Sequence, residues 1–226
     1  MARPGYQLFL PFRSAARTLL QPSSSFGARH SSSATTPKTF YHLFPKTLPD
    51  GPPPSGPFTL SPTHLRSLRQ EFFTRQLLVH PDRTQDPSLK KSFEATSAHL
   101  NKAYQTLSDP LSRAQHLLSA RGVDVTEDET LRVDDPEFLQ AVMRAREDVE
   151  DVSSEEEWRR ANDDNEGRMR KALEGLEEAF GRDDLEEAKK LAVELLYWRN
   201  VERSLEGWRE KADEKSWGRP TTTPEG

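Results

Sequence analysis

The triplet His80-Pro81-Asp82 sets an imidazole and a carboxylate on either side of a proline, directly after the apolar run Leu77-Leu78-Val79. The proline ring clashes with the preceding turn and removes a backbone donor, so a helix approaching it must stop. The triplet is therefore expected to form a loop displayed at a helix end. Other chemistry is hard to find. The chain has no phosphate-cradling glycine loop, no nucleophile elbow and no HExxH pair. Its histidines are scattered, and His99 and His116 fit packing or solvent-edge positions better than metal ligation. The Asp/Glu pairs of the C-terminal half are most simply solvated helix faces. With no cysteine, disulfides, thiolate catalysis and Cys-based metal ligation by this chain are excluded. No resident cofactor or metal is expected, and no enzymatic activity.

The elements that would hold the triplet are helices. Ser61-Pro62 supplies an N-cap and a proline at the first helical position, and Leu65, Leu68, Phe72 and Val79 then recur at helical spacing. Asp86-Pro87 opens a second helix by the same device, with Leu89, Phe93, Leu100, Tyr104 and Leu107 as its apolar stripe. Two long helices joined by so short a loop must run antiparallel, which puts the triplet at a hairpin tip. Asp109-Pro110 opens a third helix bracing the hairpin, with Leu111, Ala114, Leu117 and Leu118 inward and Gly122 as its stop. Upstream, a short apolar turn at Phe40 to Phe44 precedes a Pro- and Gly-rich stretch that reads as a tolerated surface loop.

Beyond Val123 the composition turns acidic. Asp135-Pro136 opens a further helix, and Ser153 with Glu156, or Ser154 with Glu157, offers a capping box for the next, through Trp158, Met169, Leu173 and Leu176 to a stop at Gly181. Asp183 with Glu186 would cap the last helix, whose face carries Ala188, Leu191, Leu195, Trp198, Val201, Leu205 and Trp208. Three amphipathic helices with short connections make an antiparallel bundle. No strand-like alternation of useful length occurs, so the fold is expected to be all-α.

Charge is regional. The formal net charge of −5 over 226 residues argues against nucleic acid as the main partner, and no apolar run approaches the roughly 20 residues needed to span a membrane. No Asp or Glu precedes Asp50, however, while Arg3, Arg13, Arg17 and Arg29 stand among Ser, Thr and aliphatic residues. That composition predicts a removable, disordered mitochondrial transit peptide over residues 1–37.

The triplet at a hairpin tip, with Arg66, Arg69 and Arg75 before it and Arg83 after, resembles the J-domain of the DnaJ family. The likeness extends through "LNKAYQTLSDPLSRAQHLLSARGVDV" and "DDPEFLQAVMRAREDVED" to the HscB (Jac-type) co-chaperones of iron–sulfur cluster assembly. It implies a J-domain over 38–122, a linker over 123–134, a three-helix scaffold-binding domain over 135–214 and a disordered tail over 215–226. It also implies a mitochondrial matrix co-chaperone with two partners. A heat shock protein 70 chaperone would be activated by His80, Pro81 and Asp82, with Arg69, Arg75 and Arg83 meeting its acidic surface. In that role Pro81 rigidifies the turn, Asp82 offers a carboxylate to a cationic group and His80 helps lock the loop.

An iron–sulfur cluster scaffold protein would be bound by Leu139, Gln140, Met143, Arg144 and Glu147, with Tyr197 opposite. Leu139 and Met143 share one helix face, but periodicity alone allows that face to point into the core or outward. The chain departs from the family pattern at Leu78, where a polar or basic residue is common, at Gln140, Met143 and Arg144, and in lacking a cysteine-rich zinc motif. The alternatives are a J-domain protein delivering another client and a non-catalytic helical adaptor in which the triplet is only a turn.

Overall fold

The structure, a computed structural model, describes residues 39–80, 82, 86–123 and 135–217, so the transit-peptide and linker expectations lie almost wholly outside the described residues. A short 3₁₀ turn, Phe40–Leu43, is followed by six α-helices: α1 Pro62–Leu78, α2 Pro87–Ser108, α3 Pro110–Ala120, α4 Pro136–Glu150, α5 Glu155–Gly181 and α6 Leu185–Trp217. No strand occurs among the described residues.

Four of these helices start on the proline device. At α1 the Ser61 hydroxyl accepts the His64 N–H, and at α3 the Asp109 carboxylate accepts from Ser112. At α4 Asp135 accepts from both Glu137 and Phe138, which holds its carboxyl below the usual carboxylate range. Proline follows each cap, its fixed φ suited to the first turn. Of the two possible boxes before α5, the chain uses Ser154 with Glu157.

The turn into α6 departs from expectation. Gly181 is still helical, and the left-handed residue is Asp183, with φ 56°. Its neighbour Asp184 caps the helix by accepting the Glu187 N–H, so the cap falls one residue later than Asp183. A short polar side chain tolerates the left-handed conformation well enough to take the glycine's place.

Residue pairings fix the helix directions. Between α1 and α2, Gln76 bonds Ser97 while Phe72 stacks on Tyr104, so numbers fall on one helix as they rise on the other: an antiparallel hairpin. Between α5 and α6, the Trp158 indole donates to the Leu205 carbonyl and Asn165 donates to the Trp198 carbonyl, again antiparallel. Helix α4 completes the bundle, its Phe138 packed edge-on against Tyr197 and Trp198.

One hydrophobic core runs from Tyr41, Phe44 and Phe58 through Leu68, Leu107, Leu117 and Leu118 into Leu176, Phe180 and Leu195. A second, around Trp158, Trp198 and Leu205, joins α4 to α5 and α6. The Pro-rich stretch before α1 is part of the first core and not a loose surface loop. Leu48, Phe58 and Leu60 are buried, Phe58 lies 5.0 Å from Phe180, and the Glu177 carboxylate of α5 accepts the N–H groups of Phe58 and Thr59. Proline and glycine density marked the absence of a helix there, and it concealed the apolar residues between.

Arg113 of α3 is 2% exposed, donating to the carbonyls of Leu107 and Phe58 with its guanidinium over the Phe58 ring; burial lowers its pKa. Arg121 binds the Pro53 carbonyl and Asp183, and Arg199 of α6 pairs with Asp109 at 3.0 Å. Hairpin base and bundle are thus cross-linked by polar groups as well as by the core.

Candidate functional site

Helix α1 ends at Leu78 because Pro81 lies ahead, and Val79 closes it by donating to the Gln76 carbonyl. His80 follows, and its Nδ1 accepts the Asp82 N–H at 3.3 Å, so the imidazole bridges the turn that displays the acid. The Asp82 carboxylate lies 3.5 Å from the same nitrogen and its side chain is 82% exposed. A carboxylate this open, on a turn braced by its neighbour, can accept charge-assisted hydrogen bonds from outside the molecule. Pro81 and Arg83 lie outside the described residues.

The arginines expected to act together lie on different faces. Arg69 is exposed, its guanidinium 5.6 Å from the Phe73 ring centroid. Arg75 is two-thirds covered and donates to Glu71, a buried carboxylate that also accepts the Lys46 and Thr47 N–H groups and the Thr47 hydroxyl. At 100° per residue Arg75 stands more than 90° around α1 from Arg69. Arg75 is thus paired with the Glu71 carboxylate that fastens the pre-helical segment to α1.

The second surface is on α4. Phe138, Val142 and Ala145 turn inward, which leaves Leu139 at 38% and Met143 at 62% exposure, facing away from the core. Gln140, Arg144 and Glu147 are exposed beside them. Tyr197 of α6 is half-buried, its ring edge-on to Phe138 at 5.5 Å, so it reaches the start of this face across one aromatic.

Comparison with known proteins decides the family. The HSCB C-terminal oligomerisation domain matches residues 134–206. The J-type co-chaperone JAC1, mitochondrial, of Saccharomyces cerevisiae is 32% identical over 174 residues, which are 75% of this chain and 88% of that protein. The chain belongs to the HscB/Jac1 family of iron–sulfur cluster co-chaperones. Solved HscB structures agree. The human co-chaperone HscB superposes with a TM-score of 0.65 at 26% identity, covering 76% of this chain and 82% of that one. The chaperone HscB from Vibrio cholerae gives 0.63 at 25%, covering 77% and 99%. An HscB/Jac1 protein is a co-chaperone of cluster assembly and not a catalyst.

Reasoning from the sequence missed several residues of this HscB/Jac1 chain. Leu89 was expected inward and is exposed; Phe73, Leu77 and Leu78 are exposed as well. A signal existed for Phe73. It stands 100° around the helix from Phe72 and about 140° from Leu68, outside the stripe those two set. Glu71 had a weaker signal, an acid standing between the inward residues Leu68 and Phe72.

Proposed function

We propose that this chain stimulates the ATPase of a mitochondrial heat shock protein 70 chaperone through the His80-Pro81-Asp82 loop and delivers the iron–sulfur cluster scaffold protein to it. Asp82 engages a cationic group of the chaperone while His80 and Pro81 hold the turn. Arg69 and Arg83 add an electrostatic bias toward an acidic surface, which speeds encounter more than it tightens the complex. Leu139, Gln140, Met143, Arg144, Glu147 and Tyr197 bind the scaffold. We place the protein in the mitochondrial matrix, with residues 1–37 as the address and no nucleic acid or membrane among its partners. The mitochondrial designation of the yeast relative supports that location.

The observation that carries the proposal is that two surfaces, the Asp82 turn and the Leu139–Met143 face, are both exposed on one body whose two hydrophobic cores share α5 and α6. Such a body can hold client and chaperone together. The test is single-turnover ATP hydrolysis by the mitochondrial chaperone, with and without scaffold. Stimulation that increases further with scaffold is expected. Asp82→Asn should abolish it while the circular dichroism spectrum stays unchanged, and combined Leu139→Ala, Met143→Ala and Tyr197→Ala should remove only the scaffold's added effect. Wild-type stimulation by Asp82→Asn would sink the loop's role; scaffold binding that survives the triple change would move the client site elsewhere.

A further inference from the structure

The chain contains three methionines and no cysteine, so its sulfur chemistry is that of the thioether. A thioether takes one oxygen atom from a peroxide and becomes a sulfoxide, a change that methionine sulfoxide reductases reverse. Met1 lies outside the described residues, and the other two methionines stand in opposite settings.

Met169 of α5 is half-buried and packed against both hydrophobic cores, and its Sδ accepts the Asn165 side-chain N–H at 3.6 Å. Asn165 also donates to the Trp198 carbonyl, so this sulfur is held inside the bundle by a fixed neighbour. Met143 of α4 belongs to neither core and is 62% exposed, against 38% for Leu139 one turn before it. With Phe138, Val142 and Ala145 on the inward side of α4, the Met143 side chain is open to any small oxidant in the surrounding water. Peroxide therefore reaches Met143 ahead of Met169. The fold does not depend on the Met143 thioether, but an apolar contact made by it does. Oxidation replaces a flexible apolar group by a polar, chiral one, whose oxygen must be stripped of water or left unpaired in an interface.

Building on the place of Met143 on the proposed scaffold-binding face, we propose that Met143 is a reversible oxidation site that switches client binding. With hydrogen peroxide, a sulfur lone pair takes one oxygen atom and the O–O bond breaks. The leaving hydroxide accepts the transferred oxygen's proton and departs as water, the sulfur being oxidised and the peroxide reduced. The His80-Pro81-Asp82 loop holds no methionine, so oxidation separates client binding from chaperone stimulation. Bound scaffold covers the sulfur and protects it.

The experiment treats the full chain with hydrogen peroxide and locates the added oxygen by peptide mass spectrometry. Scaffold affinity and single-turnover chaperone stimulation are measured before and after. Met143 should gain one oxygen well before Met169, and more slowly with scaffold bound. Oxidised wild type should bind scaffold about tenfold or more weakly, with scaffold-free stimulation unchanged, and a methionine sulfoxide reductase should restore binding. Met143→Leu keeps volume and apolarity, so it should stay within about threefold of wild type and be indifferent to peroxide. Met169 oxidising first, wild-type affinity in the Met143 sulfoxide, or an equal loss in peroxide-treated Met143→Leu would overturn the switch. Leu139→Ala without peroxide tests the underlying face. If it weakens scaffold binding while oxidation does not, the switch alone fails; if it leaves binding unchanged, the face is refuted and the switch with it.

Discussion

The two ends of the α1–α2 hairpin are built on opposite principles. At the base polar groups are paired internally, Arg113 on two carbonyls, Glu177 on two N–H groups and Arg199 on Asp109, and Phe58 packs on Phe180. At the tip the Asp82 carboxylate opens to solvent and Leu77, Leu78 and Leu89 stand uncovered. Burial at one end supplies rigidity, and on the proposed function the open end carries recognition. Stability and activity should therefore separate along this one element.

The sharpest break of that contrast is Arg113→Ala. It strands the Leu107 and Phe58 carbonyls and opens a cavity beneath Phe58, so it should cost about 3–4 kcal/mol, read from the urea midpoint at unchanged slope. Glu177→Ala comes next. It frees the Phe58 and Thr59 N–H groups at a partly covered site, and a loss of roughly 1–2 kcal/mol is expected in the same measurement. Asp82→Asn belongs to the other end and should shift stability by less than about 0.5 kcal/mol while eliminating chaperone stimulation. A Tm change as large as that of Glu177→Ala would dissolve the distinction between the ends.

The smallest effect is one of pH. The His116 Nε2 accepts the Phe40 N–H and its ring stacks on Phe40 at 4.2 Å; burial, aided by Lys102, lowers its pKa from 6.5. Its unfolded form thus takes up a proton at a higher pH than its folded form. Stability should be complete above pH 6.5 and decline as the pH falls below it toward the lowered folded value, and His116→Ala should remove that part of the slope. Further acidification has a second signature. Glu157, held at about 2 by the N–H groups and hydroxyls of Ser153 and Ser154, adds stability above its ordinary 4.5 that fades as the pH falls toward 2.

Helix starts were legible because Ser61-Pro62, Asp86-Pro87, Asp109-Pro110 and Asp135-Pro136 each combine a cap with a fixed φ, both local properties. The His-Pro-Asp loop was legible for the same reason. What stayed hidden depends on tertiary contact. Proline density at 45–57 masked the approach of Phe58 to the core, and no local pattern declares that Arg113 will be buried on two carbonyls. The direction of Leu139 and Met143 was undetermined until Phe138, Val142 and Ala145 were seen to take the inward face. Leu89 fits an apolar stripe by spacing but lies beyond the reach of the core at the hairpin's open end.

The core shared by the hairpin base and the bundle also imposes an order on synthesis. In a chain delivered N-terminus first, Phe58, Leu117 and Leu118 arrive well before Phe180 and Leu195, which cover them. About 70 residues separate Val123 from Leu195, so the hairpin's apolar base stays uncovered until that stretch has followed. For that interval the chain has the surface of a chaperone's client, and completing α6 removes it.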